Sequence, residues 1–155
     1  MKREKIKIVH TNLIAKDWRK LADFYINVFG CKPVYPERNL LGNWVWRLTK
    51  IENVEIKGVH LLLPGDNHNG ITLEIFEYNI KSECSASQKI NDFGFGHIAF
   101  HVDNINRVLD KILECGGQYY GELIETKIEG VGNLKVVYTK DIEGNIIELQ
   151  NITSI

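Results

Sequence analysis

Two stretches of this 155-residue chain begin with a histidine and end with a glutamate on one plan, His10 to Glu74 and His97 to Glu148. An offset of 87 residues carries His10 onto His97, Asp17 onto Asn104, Val28 onto Cys115 and Phe29-Gly30 onto Gly116-Gly117. Each histidine is followed by a short strand, a helix of similar length and a glycine stop. Trp18, Leu21, Ala22, Tyr25, Val28 and Phe29 fall at steps of three and four, as do Ile105, Val108, Leu109, Ile112 and Leu113. Both segments therefore read as helices with one apolar face. Asp17 or Lys16 begins the first and Asp103 caps the second, while Gly30 and Gly116 close them.

Strands and turns follow each helix. The first half offers Trp44 to Thr49, Val59 to Leu63 and Thr72 to Glu77; the second offers Tyr119 to Leu123, Leu134 to Thr139 and Ile146 to Gln150. Gly65-Asp66-Asn67 and Glu143-Gly144-Asn145 are turn sequences before the last strand of each half. The order is strand, helix, three strands, twice over. Superposing the glutamates needs an offset of 74 rather than 87, so the first half carries about 13 extra residues, placed between Val34 and Asn69. Such an insertion is where a substrate-specific loop can grow.

Strand parity sets the direction of the polar side chains. In His97-Ile98-Ala99-Phe100-His101-Val102 the apolar set Ile98, Phe100 and Val102 faces the helix, leaving His97, Ala99 and His101 on the other side. His10, Asn12 and Ile14 likewise lie opposite Val9, Thr11, Leu13 and Ala15. Glu74 goes with Phe76 and Tyr78, and Glu148 with Ile146 and Gln150, so all four candidates can line the face away from the helices. A carboxylate among aromatic and aliphatic neighbours costs several kcal/mol in desolvation unless it is paired, protonated or metal-bound. Two carboxylates beside two imidazoles are most simply stabilised by one divalent cation, and zinc, nickel, cobalt, iron and manganese all suit this donor set.

Composition bounds the partners. With 44% hydrophobic residues the chain can bury a sizeable core, and 19 basic against 20 acidic residues leave a formal charge of −1, which favours neither nucleic acid nor anionic lipid. A small-molecule substrate is the expected partner. The apolar runs are strand-length, and the basic start Met1-Lys2-Arg3-Glu4-Lys5 leads into no signal-type segment, so the expected location is the cytoplasm. Cys31, Cys84 and Cys115 are odd in number and widely spaced, without a CxxC, and read as reduced thiols partly in the core.

Four segments together resemble the vicinal oxygen chelate superfamily, which includes glyoxalase I, methylmalonyl-CoA epimerase, extradiol dioxygenases, fosfomycin-resistance enzymes and bleomycin-binding proteins. They are His10-Thr11 with Asp23-Phe24-Tyr25-Ile26-Asn27-Val28-Phe29-Gly30; Thr72-Leu73-Glu74; Gly96-His97-Ile98-Ala99-Phe100 with Val102-Asp103; and Asp141-Ile142-Glu143-Gly144-Asn145-Ile146-Ile147-Glu148-Leu149. The resemblance implies an α+β fold of two tandem βαβββ modules forming a curled sheet cup. The whole chain, 1–155, is then one domain, with modules at 5–79 and 92–152 joined by a connection at 80–91. It implies one divalent metal ion held by His10, Glu74, His97 and Glu148, the set similar to that of bacterial glyoxalase I. Dioxygenase and fosfomycin-resistance relatives generally use three ligands, at the positions of His10, His97 and Glu148, so Glu74 tilts the expectation toward non-redox proton chemistry.

The implied activity is that of a metal-dependent lyase or isomerase, similar to lactoylglutathione lyase. It abstracts a proton next to a carbonyl and stabilises an enediolate on the metal, with Glu148, or else Glu74, as the base. Similar bacterial enzymes often carry a glutathione-holding arginine four residues after the first histidine; Ile14 stands there, which argues against a glutathione substrate. The alternatives are an acyl-CoA epimerase, an iron-dependent extradiol-type dioxygenase and a metal-free binding or resistance protein. Family members often form homodimers.

The remaining candidates have plainer readings. His101 is read as a hydrogen-bonded structural histidine rather than one that positions a ligand, His68 as a solvent-facing loop residue and His60 as a strand residue. Arg47 is read as a solvated arginine on an edge strand, against a role in meeting an anionic substrate group. Trp18, Phe24 and Tyr25 are read as core, and Asn79 to Asn91 as a surface linker, with a lid as the alternative.

Overall fold

The computed structural model describes residues 6–65, 70–82 and 88–153. His68, Cys84 and much of the connection between the modules lie outside them. The chain divides into two compact units, Met1–Ser82 and Glu83–Ile155. The first runs βαβαββ and the second βαββββ, each the expected βαβββ plan with one element added.

In the first unit, β1 (His10–Ile14) and α1 (Trp18–Phe29) are followed by β2 (Lys32–Leu40), α2 (Asn43–Thr49), β3 (Ile56–Leu62) and β4 (Thr72–Tyr78). The sheet order is β1-β4-β3-β2, with β1 parallel to β4 and the other pairs antiparallel. The Asp17 side chain accepts from the Lys20 amide and starts α1; Gly30, at φ 69°, ends it by donating its amide to the Ile26 carbonyl. Trp18, Leu21, Ala22, Phe24, Tyr25 and Val28 form the buried stripe of α1, which packs on β3 and β4. Their odd-numbered residues, Val59, Leu61, Leu73 and Ile75, are at most 3% exposed, and each fully buried aliphatic side chain contributes about 1.5–3 kcal/mol. Parity therefore turns His60, Thr72, Glu74, Phe76 and Tyr78 to the opposite face.

The segment expected as a strand from Trp44 to Thr49 is instead the helix α2. Its alternating aromatic residues imitate a strand, but Val45 and Thr49 stand one helical turn apart and the Thr49 hydroxyl donates to the Val45 carbonyl at 2.9 Å. Gly42 at φ 94° and Lys50 in the left-handed region bound it. Val45 packs with Val54, Ile56 and Phe76, so α2 lies over the same sheet face that carries Glu74. The strand that takes the expected place is β2. Among the described residues it pairs only with β3, and as an edge it accommodates Pro33 and Pro36, with a register shift between Val34 and Arg38.

The second unit runs β5 (Ile98–His101), α3 (Ile105–Glu114), β6 (Gln118–Tyr119), β7 (Ile124–Ile128), β8 (Gly132–Lys140) and β9 (Ile146–Thr153). Its sheet order is β5-β9-β8-β6, with β5 parallel to β9 and β7 also paired to β8. The strand expected at Tyr119 to Leu123 is thus two short pieces broken at 120–123. The amides of Tyr120 and Gly121 both donate to the Tyr138 carbonyl, at 3.0 and 3.1 Å, and this doubling bulges the chain out of register. The cap of α3 is Asn104 rather than Asp103, its side chain accepting from the Arg107 amide at 3.0 Å; the helix ends at Cys115, ahead of Gly116. Ile105, Leu109 and Ile112 pack α3 on β8 and β9, against the face of Val137, Ile147 and Leu149. Tyr138 and Glu148 occupy the other face.

Candidate functional site

Each unit assembles its own cluster of histidine and glutamate. In the first, β1 lies parallel to β4 with Asn12 opposite Glu74, and β3 lies antiparallel with His60 opposite Glu74. The glutamate in the middle strand is therefore reached from both sides. His60 Nε2 stands 3.1 Å from Glu74 Oε1, and His10 Nε2 stands 3.7 Å from Oε2. Asn12 donates its amide to Oε2 at 3.0 Å and to the Glu74 carbonyl at 3.1 Å. His60 Nδ1 meets the Thr72 hydroxyl at 3.1 Å, and the His60 ring is edge-on to both His10 and Phe76. Side-chain exposures of 14% for Glu74 and 18% for His60, against 40% for His10, put the first two in the wall of the site and the third at its mouth.

Electrostatics follow from this packing. Burial lowers the His60 imidazole below its usual range, with Glu74 opposing and Arg38 and His10 adding to the lowering. Tyr78, on the same face, is raised by burial and by the charge of Glu74. His10, His60 and Glu74 offer ligand atoms that all lie within 4.8 Å of one another. Two donors at about 2.1 Å from one ion stand at most about 4.2 Å apart, so small side-chain adjustments bring this set to bonding distance.

The second unit repeats half of the arrangement. His97, immediately before β5, places Nε2 at 3.2 Å from Glu148 Oε2. The residue opposite Glu148 across the antiparallel pair is Tyr138, where the first unit has His60. Its hydroxyl hydrogen-bonds Glu148, its ring is edge-on to His97, and burial together with Glu148 raises its ionisation above the usual tyrosine range. The phenol therefore stays protonated and donates at neutral pH.

The expected four residues thus fall into two pairs, His10 with Glu74 and His97 with Glu148, one in each unit. His60, expected to be only a strand residue, is part of the first cluster, and Tyr138 was missed in the second. His101 is exposed on β5. Arg47 is exposed on α2 and not on a strand. Trp46 is half-buried and donates its indole N–H to the Val54 carbonyl at 3.2 Å, whereas Trp44 is exposed. Ile14 is exposed on the Glu74 side of β1. No helix among the described residues is long and apolar enough to cross a membrane.

The family model for the glyoxalase/bleomycin resistance protein/dioxygenase superfamily matches residues 7–149, spanning both clusters. The chain belongs to this superfamily. Among curated proteins this glyoxalase-superfamily chain is 30% identical over 144 residues to a probable lactoylglutathione lyase of Vibrio cholerae, covering 92% of this chain and 88% of that one. Its fold is similar to the crystal structure of a glyoxalase family protein from Bacillus cereus, with a TM-score of 0.81 at 15% identity over 99% of this chain and 98% of that one. A fosfomycin resistance protein from Listeria monocytogenes, solved with manganese(II) and sulfate, gives a TM-score of 0.55 at 18% identity over 98% and 95% of the two chains.

Proposed function

We propose that this superfamily member is a metal-dependent lyase or isomerase of the glyoxalase type, moving a proton at a carbon next to a carbonyl. The observation that supports this best is the repeated imidazole and carboxylate contact, His10 to Glu74 at 3.7 Å and His97 to Glu148 at 3.2 Å. Both glutamates are about 85% shielded, with side-chain exposures of 14% and 15%, and a cation offsets the desolvation of such groups. The donors fit a divalent ion of zinc, nickel, cobalt, iron or manganese, with His10, Glu74, His97 and Glu148 as the residues that hold it. When bound, that ion supplies Lewis acidity toward a substrate carbonyl oxygen.

Glu148 is the proposed base, removing the proton and returning it to the adjacent carbon, with Glu74 as the alternative. Glu74 is the more firmly held of the two. His60 engages one of its oxygens and Asn12 the other. Tyr138 orients Glu148 through a donated hydrogen bond, and its raised ionisation keeps that donor in place at neutral pH. The substrate is a small carbonyl compound, and Ile14 favours a thiol adduct other than that of glutathione. The Vibrio relative's name, probable lactoylglutathione lyase, supports the reaction class.

The test replaces each glutamate by glutamine and measures metal content, molar mass in solution and turnover. The substrates are methylglyoxal with several thiols and acyl-CoA thioesters in deuterated water. Glu148→Gln is expected to lose at least about a hundredfold in turnover, the scale of a removed general base. Full turnover in Glu148→Gln removes that residue from the role, and wild-type protein purified without chelators that holds no divalent metal overturns the proposal.

A further inference from the structure

His60 lies nearer to Glu74 than His10 does, 3.1 Å against 3.7 Å, and it is the more shielded imidazole, with 18% of its side chain exposed against 40%. Extending the metal-binding reading of Glu74, we propose that His60 is itself a metal ligand, so that His10, His60 and Glu74 make a two-histidine, one-carboxylate site complete within the first unit.

Three features of the structure carry this. The ligand atoms of the three residues all fall within 4.8 Å of one another, close to the separation of about 4.2 Å or less that a shared ion imposes. The two rings meet edge to face at 5.6 Å between centroids, so their Nε2 atoms can approach one point from different directions without the rings stacking. His60 is also positioned from behind. Thr72 Oγ1 lies 3.1 Å from Nδ1, and when Nδ1 carries the hydrogen and donates to it, the Nε2 lone pair is left facing Glu74.

The carboxylate is arranged for the same purpose. Asn12 holds Glu74 Oε2 at 3.0 Å, while Oε1 is the oxygen beside His60. All of these groups stand on three adjacent strands of one sheet, which fixes their spacing by backbone pairing rather than by loops. A set of two imidazoles and one carboxylate binds a divalent transition metal and leaves coordination positions for substrate or further ligands. Such a site holds its ion without His97 and Glu148, which leaves Glu148 free to carry protons.

The full-length chain titrated with Co(II) tests this, followed by the visible absorption of bound cobalt and by calorimetry. The double variant His97→Ala/Glu148→Ala is expected to keep one Co(II) site. Adding His60→Gln in that background is expected to weaken Co(II) binding at least about tenfold and to change its absorption. Circular dichroism checks that the variants fold. A second measurement needs no substitution at His60: pulsed electron paramagnetic resonance of Cu(II) in the double variant counts coordinated imidazoles, and two are expected. One imidazole, or a double variant that binds no Co(II), or His60→Gln with unchanged affinity and absorption, overturns the proposal while leaving the four-residue site standing. Wild-type protein that takes up no metal overturns both.

Discussion

Gly58→Ala is the substitution that most directly probes how the sheet holds the first cluster. Gly58 faces Phe76 across β3 and β4, two residues from His60 on one strand and from Glu74 on the other. A Cβ at this position would meet the Ile75 carbonyl oxygen at 2.0 Å and the Phe76 ring at 2.5 Å, well inside the 3.4 Å where ordinary contact begins. A ring can turn aside, but a backbone oxygen retreats only if β3 and β4 part. Overpacking costs about 1–3 kcal/mol, and a backbone clash belongs at the top of that range. Alanine recovers roughly 0.4–1 kcal/mol by stiffening the unfolded chain, so the net loss is about 2–3 kcal/mol. At about 2–4 °C per kcal/mol for a chain of this size, the melting temperature falls by roughly 4–12 °C. Urea unfolding followed by tryptophan fluorescence reads the effect cleanly, because all three tryptophans, Trp18, Trp44 and Trp46, lie in the first unit. Gly121→Ala is the control: nothing lies within 4 Å of its Cβ, and its stability should stay within about 0.5 kcal/mol of wild type. A loss under about 1 kcal/mol in Gly58→Ala refutes the argument that close strand approach requires glycine there.

Asn104→Ala should destabilise by about 1 kcal/mol while Asp103→Ala stays near zero, since Asn104 is the side chain that caps α3; thermal melts by circular dichroism decide between them. Asp141 is 2% exposed and accepts from the Glu143 amide at 2.9 Å, the Asn145 amide at 3.0 Å and the Asn145 side chain at 2.8 Å. Asp141→Ala therefore removes the shared acceptor of three half-buried donors in the β8–β9 turn and should cost about 2–3 kcal/mol by urea unfolding; a loss under about 1 kcal/mol contradicts this. Burial pushes the Cys31 thiol up to about 11 from 9.0. The folded state keeps that proton to higher pH than the unfolded chain does, so the stability contributed by the neutral thiol is intact below pH 9 and is lost as pH rises toward 11. Native Cys31 should label with a disulfide reagent at pH 8 much more slowly than the half-buried Cys115, read by mass spectrometry; equal rates refute the assignment.

The duplicated plan is legible because helix stripes and strand parity are local periodicities. The two apolar faces, the exposed side of His10 and His97 and the orientation of both glutamates all follow from spacing alone. Elsewhere tertiary position overrides local preference. Pro33, Pro36 and the charges of Glu37 and Arg38 disguise β2, which is tolerated because it has a single neighbour. The aromatic alternation of Trp44 and Trp46 imitates a strand, but the neighbours Val45 and Trp46 pack on the same cluster, which strand alternation forbids and a helix allows. The offset of 87 marks Asn104 as the counterpart of Asp17, and the carboxylate of Asp103 beside it, an equally good cap by residue type, obscures that. His60 was also within reach. It and Glu74 flank residue 67, inside a turn sequence, by seven positions each, as Tyr138 and Glu148 flank residue 143 by five, so a hairpin about either turn sets each pair face to face.

That shared register exposes a divergence between the two modules. Opposite its glutamate the first unit has an imidazole, which can lend a lone pair to a metal, and the second has a phenol that at neutral pH only donates a hydrogen bond. The first pairing suits a ligand and the second suits a group that must exchange a proton while staying in place. Tyr138→Phe separates these roles. A hydrogen bond to a charged group contributes about 1.5–3 kcal/mol, so if its full value bears on the position of Glu148 in the transition state, turnover falls by roughly ten- to a hundredfold. In the proposed mechanism Tyr138 positions Glu148 without holding the ion, so metal content should be unchanged and the loss should appear in kcat rather than KM. Unchanged kcat in Tyr138→Phe shows that the phenol does not orient the base, and a loss of metal instead shows that the second unit's cluster is held together for binding rather than for proton transfer.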